Sequence, residues 1–215
     1  MDTILYQFWR SSASWRVRWA LAIKGVAFQS VPVDLDADEQ LSAEHRARNP
    51  MAHVPALWID GHTLAESVAI LEYLEETRPA SPLYPKDRWA RARVRQVVEL
   101  VNAGIQPMQN LVVLKRHSAD AEEQKAWLQY FNQRGLAACE ALLGTIAAEI
   151  PGLGHYAVGS ALTAADIFLV PQIATARRFG VDLAPFPRLL AVETAALATP
   201  HAVGALPENQ VGAPR

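Results

Sequence analysis

The chain has 215 residues, 51% of them apolar and 20% charged, with a net charge of -2. That is enough for one large domain or two small ones with cores of their own. The near-neutral balance, with no long run of either sign, excludes the basic footprint of a nucleic-acid binder and a polybasic membrane patch. One cysteine, Cys139, excludes an internal disulfide and a thiolate zinc site. Met1-Asp2-Thr3 lacks the basic flank of a signal peptide. The most apolar stretch, 167–176, is interrupted by Pro171 and Gln172, so no membrane span is expected. A reducing, cytoplasmic setting is the expectation.

Residues 4–8 read as a strand. Residues 14–24 read as a helix with Val17, Ala20, Leu21 and the stem of Lys24 on one face, and Gly25 is placed to end it. A second strand is expected over 28–33 and a polar loop over 34–40. Ser42 then caps a short helix that stops near Asn49-Pro50. Residues 54–59 read as a strand that opens on a proline. Asp60-Gly61 is a hairpin turn signal, and a last short strand follows over 62–64. Glu66-Ser67 opens a long helix whose Val68, Leu71 and Leu74 or Tyr73 point inward. The order β-α-β-α-β-β-α combines a parallel unit with a hairpin, in a sheet with helices on it.

Pro79, Pro82 and Pro85 form a joint. The boundary is placed there, with a first domain over 1–80, a linker over 81–86 and an all-helical second domain over 87–215. Val94, Val97, Val98 and Val101 recur at helical spacing, as do Leu128, Phe131, Gly135, Cys139 and Leu142. Pro151-Gly152-Leu153-Gly154 reads as a loop. Thr163-Ala-Ala-Asp166 is a capping box that opens a helix running toward Phe179-Gly180. A final helix follows Pro187, and the tail from Pro200 is expected to be loosely held.

The chemistry concentrates in Arg10-Ser11-Ser12-Ala13-Ser14, between the first strand and the first helix. A helix leaves its first N–H groups unpaired, and such a terminus favours a carboxylate, a phosphate or a thiolate. One hydroxyl suffices for a cap. Three around Ala13 exceed that need and favour an anion site, with Ser14 as the structural cap. Taken alone, Val54-Pro55 is an edge-strand proline, Glu66-Ser67 a helix start and Gln40 a surface glutamine. Gln106 and Asn110 lie one helical turn apart on one face. Arg10 and Arg178 are candidate carboxylate clamps, while Arg177 reads as a surface residue. The six histidines show no metal-ligand spacing and read as surface or loop residues, so no metal is expected.

The motif Ser11-Ser12-Ala13-Ser14-Trp15-Arg16-Val17-Arg18 resembles the Ser-Ser-Cys-Ser-Trp-Arg-Val-Arg motif of zeta-class glutathione transferases, the class of the maleylacetoacetate and maleylpyruvate isomerases. Asn49-Pro50-Met51, Val54-Pro55, Glu66-Ser67 and the run from Glu72 to Pro79 extend the resemblance. So do the runs Gly104 to Leu111, Leu169 to Gln172 and Arg178 to Leu183. These motifs span nearly the whole chain in order.

The resemblance implies an α/β thioredoxin-like first domain, an all-α second domain and a homodimer. Its implied cofactor is glutathione, and its implied substrate a small dicarboxylate or keto acid. Ser11, with Ser12 assisting, would hold the glutathione sulfur as a thiolate. Val54, before a cis Pro55, would pair with the cysteinyl backbone. Glu66 and Ser67 would take the γ-glutamyl end, and Gln40 the glycyl end. Gln106 and Asn110 would contact glutathione or its partner, and Arg178, with Arg10 second, the substrate carboxylates. The implied activity is cis–trans isomerisation of maleylacetoacetate or maleylpyruvate. Conjugation of electrophiles, dehalogenation of α-halo acids and non-catalytic glutathione binding are the alternatives. Ala13 departs from the family cysteine and removes mixed-disulfide chemistry at that position.

Overall fold

The computed structural model describes residues 3–150 and 155–214. The expected loop at Pro151-Gly152-Leu153-Gly154 lies outside them. The chain divides into Leu83–Ala198 and a first unit that joins Met1–Pro82 to Thr199–Arg215.

The first unit runs β1 (Ile4–Gln7), α1 (Ser12–Ile23), β2 (Gln29–Pro32), α2 (Ala43–Arg48), β3 (Ala56–Ile59), β4 (His62–Ala65) and α3 (Ser67–Thr77). The strand order is β2-β1-β3-β4, with β1 and β2 parallel and the other pairs antiparallel. The first three strands are shorter than their sequence patterns because the ladder ends where the turns begin, while β4 runs one residue further than its pattern. Asp60 and Gly61, at φ 52° and 84°, make the tight hairpin between β3 and β4.

Ser11, not Ser14, caps α1. The Ser11 N–H donates to the Phe8 carbonyl at 3.1 Å, so the chain turns into helical geometry early. Ser11 Oγ then accepts the Ser14 N–H at 3.2 Å. Ser14 falls inside the helix and is fully buried. At the other end, Gly25 takes a left-handed conformation at φ 66°. The Gly25 and Val26 N–H groups donate back to Ala22 and Leu21 at 3.1 and 2.9 Å, which closes a Schellman turn. Helix α1 packs against α3. Lys24 contributes more than its stem to that contact, since its ammonium donates to Glu75 at 2.6 Å and to the Arg78 carbonyl at 2.9 Å.

The second unit holds α4 (Arg88–Gly104), α5 (Leu111–His117), α6 (Ala121–Glu149), α7 (Ala164–Arg178) and α8 (Pro187–Leu197). The valines of α4 are buried as their spacing requires. In α6 the buried stripe includes Leu128, Gly135 and Cys139 but continues through Asn132, Leu136 and Leu143. Phe131 stands partly out, packed on Trp127 at 4.5 Å between ring centres. Gly135 is required by packing, because a Cβ there would sit 2.3 Å from Cγ1 of Ile105. The capping box of α7 forms as read, with Asp166 fully buried. Pro187 opens α8, and Glu140 of α6 caps it by accepting the Arg188 and Leu189 N–H groups at 3.1 and 3.0 Å.

The tail is held, contrary to expectation. It forms α9 (Ala202–Ala205), in which Ala202 and Ala205 are buried against the first unit. Arg18 fastens it: Nε donates to the Ala205 carbonyl at 3.1 Å, Nη1 to Gln7 at 2.5 Å and Nη2 to the Trp9 carbonyl at 3.1 Å. A charge-assisted bond from a buried guanidinium that Gln7 and Trp9 also hold in place outweighs the disorder that the tail's composition suggests. Among the described residues no helix is long and apolar enough to cross a membrane.

Candidate active site

The pairing register gathers one end of the sheet. Tyr6 of β1 lies opposite Ala56 of β3, and Ala56 opposite Ala65 of β4. The chain leaving β1, the chain entering β3 and the chain leaving β4 therefore emerge together. These segments carry Ser11 and Ser12, Val54 and Pro55, and Glu66 and Ser67. Six residues from three segments far apart in sequence thus share one rim of the first unit, at the start of α1.

Two helix N-termini, α1 and α3, open there, and neither has an acidic residue in its first turn. Nothing in those turns offsets the positive end of either helix dipole. Ser11 Oγ uses one lone pair to cap α1 and keeps its own hydrogen for donation. Ser12 is buried beside it. The Val54–Pro55 peptide is cis. Among the described residues no backbone hydrogen bond uses the N–H or C=O of Val54, so both are available to an extended peptide. Glu66 precedes α3 at φ 68° and ψ 116° without capping it, a strained conformation of the kind held at binding sites. Gln40 is buried rather than superficial. Its Nε2 donates to Asp38 at 3.1 Å, while Oε1 is buried without a hydrogen-bond partner.

Arg10 is exposed and donates to Asp36 at 3.1 Å, with its guanidinium 5.2 Å from the Phe8 ring centre. Arg177 pairs with Glu193 at 2.8 and 2.5 Å, which makes it a structural link within the second unit. Arg178 is exposed on the last turn of α7, 4.7 Å from the Phe179 ring centre. The turn after it is fixed by Gly180 at φ 75°, whose N–H donates to Arg177 at 3.0 Å.

Gln106 and Asn110 do not share an α-helix. Helix α4 ends at Gly104, and Pro107, lacking an N–H, helps to tighten residues Gln106–Gln109 into a 3-10 turn, with Asn110 at the start of α5. The two amides nonetheless meet, Gln106 donating to Asn110 at 3.0 Å. Trp127 Nε1 holds this turn through the Met108 carbonyl at 2.9 Å. Gln172 holds it through Gln109 at 3.0 Å, and itself donates to Asn132 at 2.6 Å.

Two further features were missed. Arg16 and Arg18, mid-motif in α1, are buried, and burial pushes both guanidinium groups down to about 9. The flanking Trp15, Val17 and Trp19 signal a helix enclosed on all sides, which leaves these arginines no solvent face. His45 is also buried, its Nε2 2.9 Å from the His53 carbonyl, so it is not a surface residue. Among the described residues no group of His, Cys, Asp and Glu is arranged to hold a metal ion. Cys139 is buried, and desolvation pushes its thiol up to about 12, which removes it from thiol chemistry.

Residues 1–76 match the family described as glutathione S-transferase, N-terminal domain. The chain is 47% identical to probable maleylacetoacetate isomerase 2 of Drosophila melanogaster, over 100% of this chain and 92% of that protein. The structure of maleylacetoacetate isomerase from Anaeromyxobacter dehalogenans 2CP-1 with glutathione bound in its active site is similar at a TM-score of 0.85 and 46% identity. The match covers 99% of this chain and 98% of that one. A holo maleylpyruvate isomerase, a bacterial zeta-class enzyme, is similar at a TM-score of 0.92 and 38% identity, over 98% of this chain and 100% of that one. With this identity over nearly full length, and with the fold and rim described above, the chain belongs to the maleylacetoacetate isomerase family, the zeta class of glutathione transferases.

Proposed function

We propose that this chain is a glutathione-dependent cis–trans isomerase acting on maleylacetoacetate or maleylpyruvate in the breakdown of tyrosine or related aromatic acids. The observation that carries the reading is the start of α1. There a serine hydroxyl caps the helix and still has its hydrogen to donate at the positive end of the dipole. When bound, glutathione supplies a thiolate that adds reversibly to the cis double bond, so that rotation and elimination give the trans product.

The chain's own residues do the rest. Ser11 donates its hydrogen to sulfur and, with the helix terminus, favours the thiolate over a thiol whose ordinary pKa is about 8.5. Ser12 assists. The Val54 N–H and C=O pair with the cysteinyl backbone, Ser67 and Glu66 hold the γ-glutamyl carboxylate and ammonium, and Gln40 takes the glycyl end. Gln106 and Asn110, already joined to each other, contact glutathione or its partner. Arg178 anchors a substrate carboxylate so that rotation occurs about the intended bond, and Arg10 is a second anchor if it exchanges Asp36 for substrate. The enzyme works as a homodimer in the cytoplasm.

Purified protein with glutathione is expected to convert maleylacetone to fumarylacetone. Ser11→Ala should lower turnover at neutral pH about 10- to 30-fold, because a thiol left at its ordinary pKa of about 8.5 is only a few per cent thiolate there. Full turnover by that variant would refute the role of Ser11. No turnover by the wild type on any maleyl substrate would refute the function.

A further inference from the structure

The carboxylate subsite at the start of α3 is backed by a residue that belongs to α1. Arg16 is fully buried, and its Nη1 donates to Ser67 Oγ at 3.3 Å. Ser67 is the first residue of α3 and is itself buried. A hydroxyl oxygen accepts twice and donates once. With Arg16 on a lone pair, the Ser67 hydrogen is left for an outside acceptor, and a charge-assisted bond on the oxygen strengthens that donation.

We propose that Arg16 is the positioning residue of this subsite, acting through Ser67 to select the free α-carboxylate of the γ-glutamyl group. The inference rests on the glutathione reading above and adds to it a residue that need not touch the ligand. Three positive contributions line up at one point: the α3 dipole, the Ser67 hydroxyl and a guanidinium in a low-dielectric interior, where charge interactions are strong. Burial holds the guanidinium well below its ordinary range, at about 9, yet protonated at neutral pH. A nearby carboxylate relieves that penalty, so ligand and arginine stabilise each other's charged forms. Arg18, two residues on, spends its donors on Ala205, Gln7 and Trp9 and has no such link to α3 among its hydrogen bonds.

The test is calorimetry on the full chain with glutathione and with its analogue in which the γ-glutamyl α-carboxylate is an α-carboxamide. The wild type is expected to prefer glutathione about 100-fold. Arg16→Gln should cut that preference about tenfold, equivalent to ~1.4 kcal/mol. Leu21→Ala, which loosens the same helix away from Ser67, should lower Tm and leave the preference intact, separating selection from mere support of the fold. An unchanged preference in Arg16→Gln, or equal affinity of the wild type for both ligands, overturns the assignment. Should Arg16→Gln not fold, Arg16→Lys decides, because it replaces the fork with a single ammonium; a preference undiminished there overturns it too. No heat with glutathione itself would instead remove the underlying reading.

Discussion

Replacing Asp166 with Ala tests how α7 is held. Its carboxylate accepts the Ala157 N–H at 2.8 Å, the Thr163 N–H at 2.7 Å and the Thr163 hydroxyl at 2.8 Å. Removing it strands two backbone N–H groups on buried residues, at about 1–3 kcal/mol each, while the threonine hydroxyl can rotate elsewhere. Relief of a buried charge offsets part of this, so the expected cost at neutral pH is about 3 kcal/mol, a Tm drop of roughly 6–12 °C for a chain of this size.

The pH dependence gives a second check. Burial, outweighing the hydrogen bonds the carboxylate accepts, pushes the Asp166 carboxyl up from 3.8 to about 6. A carboxyl raised on folding contributes stability that is present in full below the unfolded pKa and is lost as pH rises through the folded one. At pH 5 that contribution is worth about 1 kcal/mol, and by pH 7.5 it is gone. Differential scanning calorimetry of wild type and Asp166→Ala at both pH values should therefore show the gap narrowing toward pH 7.5. A Tm shift below 2 °C, or a gap that widens with pH, would refute the reasoning.

Glu140→Ala removes the acceptor for two N–H groups at the start of α8 and should cost about 2 kcal/mol in urea unfolding; an unchanged midpoint would sink the capping role. Gly135→Ala should destabilise by about 1–3 kcal/mol despite alanine's better helix propensity, because its Cβ collides with Ile105. Ile105→Ala should recover part of that loss in the double variant, and failure to do so would show the clash is not the cause. Ala13→Cys should acquire a mixed disulfide with oxidised glutathione, visible by intact mass. The wild type should acquire none, since Cys139, its one cysteine, is buried; labelling of wild type would contradict that inertness.

The sequence showed most clearly the features decided within a few residues. Gly25, Asp60-Gly61, Ser42 and the pair Thr163 and Asp166 each solve a local problem of capping or turning, and each stands where its chemistry indicates. The order of strands and helices followed from these. What escaped depends on partners far away in sequence. Nothing near Arg18 announces Ala205, and nothing near Arg16 announces Ser67. A spacing of four suggested one helix for Gln106 and Asn110, where Gly104 and Pro107 instead favour a tight turn. The motif alone ranks Ser14 above Ser11 as the cap, wrongly, because the ranking depends on where β1 stops, and Gln7 settles that through the ladder.

The return of the chain at Thr199 to the unit it left at Pro82 bears on how this enzyme is made. During synthesis the ribosome delivers every helix of the second unit before Ala205 can meet Arg18. The first unit therefore waits, with that guanidinium lacking one of its acceptors, until Ala205 has been made. A premature stop shortly after α8 would spare the whole helical unit and still injure the sheet, so nonsense variants and C-terminal fusions should register as defects in glutathione capture.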